Sequence, residues 1–257
     1  MTYLDAVRSE WVKFRTLRSS TYTMLVTLVL GVGMAVLFAS GKGRGFRRLD
    51  AAAQAAFDPT EAGLTGAVLL AQVAMGTLGV LAITSEYGTG MIGASLSVVP
   101  RRGRVFGAKA LLITLISLVV GEVVSLASFL ASQMILSDMD VPSASLGDPG
   151  VLVAVTGTGG YLALVGLLGT AVGTLIRSTA GAVVVMVLVT VIFPYFFSPL
   201  LPPAVQMFWP TMAGMAVLST SLGAEVPPYG PLAIMAAGVA VATVAGYFTF
   251  RTRDVSA

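Results

Sequence analysis

Long apolar stretches dominate the hydrophobic pattern of this chain, and most polar residues lie between them. Six stretches come close to or exceed the roughly 20 residues that a helix needs to cross the hydrocarbon core of a bilayer. The pattern predicts six membrane-spanning helices, at about residues 20–39, 65–83, 108–136, 151–176, 179–198 and 231–250. The predicted fold class is an all-α, polytopic integral membrane protein. Residues 1–257 are expected to form a single transmembrane domain, because no linker or soluble segment interrupts them.

A second pattern precedes the first span. Apolar residues recur there at helical spacing, at Leu4, Val7, Trp11 and Phe14. Basic residues lie away from this stripe, at Arg8, Lys13 and Arg15. The pattern predicts an amphipathic helix that lies flat in the membrane interface, with its basic residues near anionic headgroups. The alternative is an ordinary start of a longer first helix.

Composition narrows the chemistry of the chain. Hydrophobic residues make up 56% of it and charged residues 11%, which is too apolar for a soluble core of this length. The chain has no Cys and no His, which excludes thiolate chemistry, a Ser–His protease and a His-ligated metal site. The segment GKGRG at Gly41–Gly45 lacks the spacing of a phosphate loop. No catalytic residue, metal site or bound cofactor is therefore expected, and the net charge of +3 does not indicate nucleic acid as a partner.

The distribution of Lys and Arg orients the predicted spans. The two tails and the second and fourth connections share one side, and their basic residues are Arg8, Lys13, Arg15, Arg18, Arg101, Arg102, Arg104, Lys109, Arg177, Arg251 and Arg253. The other side carries Lys42, Arg44, Arg47 and Arg48, all in the first connection. Because cytoplasmic loops carry the excess of basic residues, both termini are expected in the cytoplasm of a multi-pass protein of the cell membrane.

Two features lie within the predicted spans. Glu122 falls near the middle of the third span, where a carboxyl is expensive and should face the bundle interior or a wet cavity. It could contact substrate, carry a proton or hold a gate, or it could be structural, protonated or hydrogen-bonded to Ser125 or a neighbouring helix.

Glycines that permit close helix packing crowd the second and fourth spans, at Gly76, Gly79, Gly157, Gly159, Gly160, Gly166, Gly169 and Gly173. Whether their partner helices belong to the same subunit stays open at this stage.

The connection before the last span is too apolar for an exposed loop. It contains AVQMFWPTMAGMAVL and is broken by Pro210. A pair of short helices dipping in from the outer side would cover this backbone, and a loosely packed outer cap is the alternative. The expected outer aromatic belt consists of Phe193, Tyr195, Phe196, Phe197 and Trp209.

The segment between the second and third spans, Thr84–Arg104, has its own pattern. Its apolar residues recur at helical spacing, at Met91, Ile92, Leu96, Val98 and Val99. Thr89 is a suitable N-cap and Pro100 ends the pattern, so a short amphipathic helix is predicted on the cytoplasmic side. Arg101, Arg102 and Arg104 follow at the membrane surface. This helix either rests on lipid or docks a cytoplasmic partner.

A resemblance to actinobacterial ABC-type export permeases of the second class covers most of the chain. The stretch at Phe57–Leu112 resembles their second and third helices, with S-E-Y-x-T-G followed by P-R-R as its most specific part. SEWVKFRTLRSSTYTML near the N-terminus and GEVVSLASFL in the third span resemble the same family. One position departs from it, since Gly93 stands where relatives often carry an Arg.

The resemblance implies a function for the segment after the second span. In that family this turn is a coupling helix that docks on a separate ATPase subunit, which would bind ATP and Mg²⁺. The residues that fall on the motif are Glu86, Tyr87, Gly88, Gly90, Met91, Ile92 and Leu96. A second permease subunit, identical or paralogous, would complete the transporter within the membrane lipids.

The function implied by the resemblance is that of a permease subunit that couples an ATPase to substrate efflux, with no covalent chemistry of its own. A membrane scaffold or sensor that binds a cytoplasmic partner through the same turn is the alternative. An ion-coupled transporter is less compatible with the sequence, because Glu122 has no second acid or base at membrane depth to form a relay.

Overall fold

The computed structural model describes residues 3–16, 18–88, 102–202, 206, 209–221 and 227–252. The helices in these ranges are α1 (Tyr3–Thr16), α2 (Arg18–Phe46), α3 (Ala51–Ala55), α4 (Pro59–Gly88), α5 (Arg102–Asp138), α6 (Val151–Ile176), α7 (Thr179–Val187), α8 (Pro210–Met215) and α9 (Gly230–Thr252). The helix α7 continues as a π-helix, Leu188–Phe197, and a 3₁₀ turn, Ser198–Leu200. Another 3₁₀ turn, Ala216–Leu218, follows α8. The described residues contain no strand, and six helices are long and apolar enough to cross a membrane, which confirms the predicted all-α fold class.

The helices run further than the apolar stretches alone indicate. The helix α2 continues to Phe46, past the expected end of the first span near residue 39, and α5 begins at Arg102 rather than near 108. Backbone hydrogen bonding does not stop where hydrophobicity falls, because a solvated Lys or Arg is a good helix former. The segment Gly41–Gly45 is thus part of α2 and not a loop.

The helices alternate in direction, so the bundle has two faces. The start of α5 packs beside the end of α9 through Phe106, Tyr247 and Phe250. The end of α2 packs beside the chain before α4 through Phe46 and Phe57. We call the face that carries α1 and the end of α9 the terminal face and the opposite one the distal face.

The centre of the bundle is the crossing of α4 and α6. The most apolar windows of these helices are 61% and 67% buried, against 17–22% for the first, fifth and sixth spans. Glycine lets the two backbones touch: a Cβ added to Gly79 would overlap the carbonyl oxygen of Gly166, and one added to Gly169 would overlap that of Gly76. The partner helix of these glycines therefore belongs to the same chain.

On the distal face, several hydrogen bonds meet at the carboxylate of Asp58, just before α4. One carboxylate oxygen, Oδ1, accepts the backbone N–H groups of Thr60 and Glu61 at 2.9 and 3.1 Å, as an N-terminal cap does. The other, Oδ2, accepts the N–H and hydroxyl of Thr220 and the hydroxyl of Ser219. Burial opposes ionisation of Asp58, but these hydrogen bonds outweigh it and lower its pKa. The carboxylate thereby ties the segment after α8 to the start of the second span.

The described part of the connection before the last span packs into the bundle, which favours the inserted helices over a loosely packed cap. This part contains α8 and the 3₁₀ turn after it, where Thr211, Ala213, Gly214, Val217 and Leu218 are buried. The predicted aromatic belt is divided. Phe196 and Phe197 are exposed, whereas Phe193 and Trp209 stack on each other with ring centroids 3.6 Å apart.

Candidate functional site

The candidate site lies at the terminal face, where α4 ends and α5 begins. Of the residues predicted to couple an ATPase, Glu86 and Tyr87 lie in the last turn of α4, and Gly88 ends that helix. The others, Gly90, Met91, Ile92 and Leu96, lie outside the described residues, as does Arg101. Arg102 is the first residue of α5, and Arg104, two residues further on, is half-buried. The amphipathic helix expected in this segment therefore stays a prediction.

Glu86 belongs to a buried group of four charged side chains, Glu10, Lys13, Glu86 and Lys109, which we call the charge cluster. The Nζ atoms of Lys13 and Lys109 each donate to Oε1 of Glu86 at 3.0 Å. Lys13 also donates to Oε1 of Glu10 at 2.8 Å, and Lys109 donates to Oε2 of Glu10. Two acids and two bases from α1, α4 and α5 thus form a closed ring of contacts.

The charge cluster is electrically balanced and mostly shielded from solvent. Glu10, Glu86 and Lys109 are only 4–6% exposed, whereas the side chain of Lys13 is 29% exposed. Burial alone would lower the pKa of Lys13, but the hydrogen bonds and charges of Glu10 and Glu86 outweigh burial and raise it. Charges in such a place are tolerated only when they are paired. One acceptor stays unused, since Oε2 of Glu86 is buried without a hydrogen-bond partner among the described residues.

The spacing of residues in α1 explains how this helix reaches the cluster. Ala6, Glu10 and Lys13 follow one another at intervals of four and three, so they share one helical face, and Ala6 and Glu10 are buried. Leu4 and Trp11, from the predicted apolar stripe, point outward and are 77% and 46% exposed. Their outward position supports an interfacial helix, whose location at the membrane surface stays a prediction. The expectation that Lys13 lies near headgroups is wrong, because its ammonium group turns inward to two carboxylates.

The last turn of α4 is held from a second side as well. The guanidinium of Arg177 lies 5.2 Å from the centre of the Tyr87 ring, a cation–π contact. The hydroxyl of Thr179 donates to the hydroxyl of Thr84 at 2.8 Å. Arg177 caps the C-terminus of α6 with a φ of 58°, and its N–H donates to the carbonyl of Gly173. The turn between the fourth and fifth spans therefore contacts the helix end that carries Glu86 and Tyr87.

Sequence reasoning missed two members of the charge cluster. Glu10 was overlooked beside the basic residues of the N-terminal tail, and Lys109 was assigned to the basic loop before the third span. Lys109 is instead buried in α5. A signal was available for Lys109, because it is the only charged residue between Arg104 and Glu122 in the long apolar helix α5. None was available for Glu10, because α1 carries several charged residues of both signs.

Glu122 lies within the third span, away from the charge cluster. It is half-buried, and its carboxyl packs against the backbone of Gly159 in α6, where an added Cβ would overlap it. The hydrogen bond with Ser125 considered from the sequence does not form, because the Ser125 hydroxyl donates to the carbonyl of Val155 at 2.7 Å. No hydrogen bond or ion pair of Glu122 occurs within the described ranges.

Glu122→Gln should leave the stability of the subunit unchanged or slightly raised. The amide has nearly the same volume against Gly159, no hydrogen bond within the described residues is lost, and a neutral group is cheaper to bury. Thermal unfolding of the detergent-solubilised subunit measures this. Ser125→Ala is the matched control on the same helix and should lower stability by about 1 kcal/mol, since a buried hydrogen bond is removed. A large loss with Gln would reveal an ion pair of Glu122 outside the described residues.

The described residues also contain no group of three or more His, Cys, Asp or Glu side chains that could hold a metal ion.

A comparison with curated proteins gave no significant match. A comparison with protein families did. The model of the ABC-2 family transporter proteins matches residues 6–201, which runs from α1 through the fifth span. Because this match covers most of the chain, the protein belongs to the ABC-2 transporter family and is a multi-pass membrane permease subunit of an ABC transporter.

Proposed function

We propose that this chain is the permease subunit of an ATP-driven exporter of the second, actinobacterial class. The terminal face is cytoplasmic in this proposal, so both termini of this cell-membrane protein lie in the cytoplasm. A separate ABC ATPase, which binds ATP and Mg²⁺, docks on residues 89–101. The excess of Lys and Arg at the terminal face supports this orientation, and membership of the ABC-2 family supports the ATPase partner.

The observation that carries the proposal is that the end of α4, just before the docking segment at residues 89–101, is held by two separate contacts. Residues 89–101 join α4 to α5, and each of these helices contributes to the charge cluster, through Glu86 and Lys109. Tyr87 contacts the turn before α7 through Arg177. A force on the docking segment would therefore reach α1, α5 and the fifth span together, because buried ion pairs and cation–π contacts resist separation.

A second permease subunit, identical or paralogous, completes the transporter in this proposal. The central helices α4 and α6 are largely covered within the chain. The outward faces of the other spans carry exposed apolar side chains such as Val29 of α2, Val119 of α5 and Val241 of α9. These faces contact lipid or the second subunit.

Replacing the predicted anchors of the docking helix should remove the ATPase. Ile92→Ala combined with Leu96→Ala should leave the subunit folded in the membrane and weaken its binding of the ATPase by roughly thirtyfold, because buried apolar anchors contribute about 2 kcal/mol or more at interfaces. The measurement is capture of the ABC ATPase from detergent extracts of the producing cells, quantified against wild type.

The matched control is Arg101→Ala, which should retain nearly all of the ATPase because surface charges change affinity little. Failure of the wild-type subunit to capture any ABC ATPase would contradict the exporter and favour a scaffold or sensor. Full capture by the double variant would place the docking site elsewhere in the chain.

A further inference from the structure

The fifth span does not cross the bundle as a regular α-helix. From Leu188 to Phe197 it is a π-helix with Pro194 inside it, and the N–H of Ser198 bonds to the carbonyl of Phe193, five residues before. A π-helix of this length is rare, and π-segments inside α-helices frequently mark functional positions. This segment leads toward the distal face, where α8 packs against it.

Pro194 leaves one carbonyl of the π-helix without its backbone partner. In a pattern of bonds between residues i and i+5, the carbonyl of Val189 pairs with the N–H of residue 194, and proline has none. An unpaired backbone group is costly where water is absent. Two donors replace the missing one: the indole Nε1–H of Trp209 at 3.2 Å and the hydroxyl of Thr211 at 3.0 Å. Both belong to residues 209–215, which comprise α8 and the residue before it and which we call the distal segment.

The distal segment also contacts the other helices of the bundle. The Trp209 ring stacks on Phe193, so the indole is fixed beside the carbonyl that it serves. Pro210 fits against Gly238 of α9, where an added Cβ would lie 2.5 Å from its Cγ. Gly214 fits against Met235 of α9 and Tyr161 of α6. The segment therefore joins the π-helix to the fourth and sixth spans.

We propose that Trp209 and Thr211 form a latch on the Val189 carbonyl that holds the distal part of the fifth span closed. Release of both donors would leave the carbonyl unpaired until water replaced them, so opening and water entry would occur together. The π-helix would then bend at Pro194, and the distal part of the bundle between the fifth span and α8 would open. This latch does not depend on the docking segment or on which face is cytoplasmic.

A proline with no N–H is the reason that the latch is needed, and this permits a rescue test. Thr211→Val removes the hydroxyl with little change in shape, and Trp209→Phe keeps an aromatic ring to stack on Phe193 but removes the indole N–H. Both substitutions should open the segment. Adding Pro194→Ala returns an N–H that can bond to the Val189 carbonyl, so the same two substitutions should then have little effect.

The chain has no Cys, so one introduced thiol reports on opening. Thr190 is fully buried beside Val189, and Thr190→Cys should react slowly with a small charged methanethiosulfonate in the purified subunit in lipid nanodiscs. Thr211→Val together with Trp209→Phe should raise the reaction rate roughly tenfold, the equivalent of about 1.4 kcal/mol for an acceptor left without its donors. Pro194→Ala should return the rate to near that of the Thr190→Cys protein.

Two controls separate opening from general loosening. Leu200→Cys lies at a position that is 78% exposed and should react equally fast in every background. Thr243→Val removes a hydroxyl that bonds within α9, to the carbonyl of Val239, and should leave the rate at Thr190→Cys unchanged. An unchanged rate in the double variant overturns the latch. A raised rate that Pro194→Ala does not reverse also overturns it, because the two side chains then act through packing alone.

Discussion

Gly169→Ala should strongly destabilise the subunit, whereas Gly33→Ala should be tolerated. A Cβ on Gly169 would overlap the carbonyl oxygen of Gly76 in α4, and the obstacle is backbone, which cannot rotate away as a side chain does. Forcing extra atoms into a packed interior typically costs 1–3 kcal/mol, and a backbone obstacle places this site at the upper end, about 3 kcal/mol. The amount of monodisperse subunit recovered in mild detergent, with its thermal midpoint, measures the effect.

Gly33 is a stringent control because it is also a glycine inside a membrane-spanning helix. Nothing lies within 4 Å of a Cβ built there, and alanine is a better helix former than glycine by up to about 1 kcal/mol. Gly33→Ala should therefore be neutral or stabilising. Equal stability of the Gly169→Ala and Gly33→Ala proteins would mean that α4 and α6 do not cross at Gly76 and Gly169.

Span positions follow from the sequence because the bilayer imposes one length scale. The fourth span illustrates this, since α6 begins at Val151 and ends at Ile176, the expected residues. Helix ends outside the hydrocarbon are less predictable, because a charged residue such as Arg44 ends the apolar stretch but is itself a good helix former. Its guanidinium Nε bonds to the carbonyl of Ser40 within α2, which is a local interaction that hydropathy does not register.

Contacts between distant residues limited what the sequence could predict for the candidate site. Glu10 and Lys109 are 99 positions apart, and no periodicity connects them. The apolar stripe of α1 correctly predicted a helix before the first span, but it gave no reason for Lys13 to turn inward. The fifth span was similarly expected as one regular helix at 179–198, because its π-helix depends on donors from Trp209 and Thr211 that only the folded bundle brings near.

Lys109→Met should destabilise the subunit by about 3–5 kcal/mol, the usual result of removing one partner of a buried ion pair. Glu10 and Glu86 would then share a single cation, Lys13, in a place where both carboxylates are almost fully buried. The methionine fills most of the volume of the lysine stem, so the loss reports on charge rather than on packing. Unfolding of the purified subunit, monitored by circular dichroism at neutral pH, measures it.

Restoring charge balance should recover most of that stability. Glu10→Gln combined with Lys109→Met leaves Lys13 and Glu86 as a neutral pair at 3.0 Å, so the double variant should be more stable than Lys109→Met alone by at least about 1.5 kcal/mol, a coupling typical of contacting charges. Arg47→Met is the control for an exposed ion pair. Arg47 and Asp140 are 73% and 91% exposed, and solvent screens such pairs, so its unfolding should match wild type.

The double variant also separates stability from coupling. Its α1 would still pack on α5, but the ion pair that links Glu10 to the helix after the docking segment would be gone. If the charge cluster transmits the movement of the ATPase, this folded protein should bind the ATPase and permit ATP hydrolysis but transport less than wild type. Transport and hydrolysis measured together in proteoliposomes decide the point. Wild-type transport by the double variant would assign the cluster to holding α1 in place, because a structural tie can be lost without cost to coupling once the remaining charges are balanced.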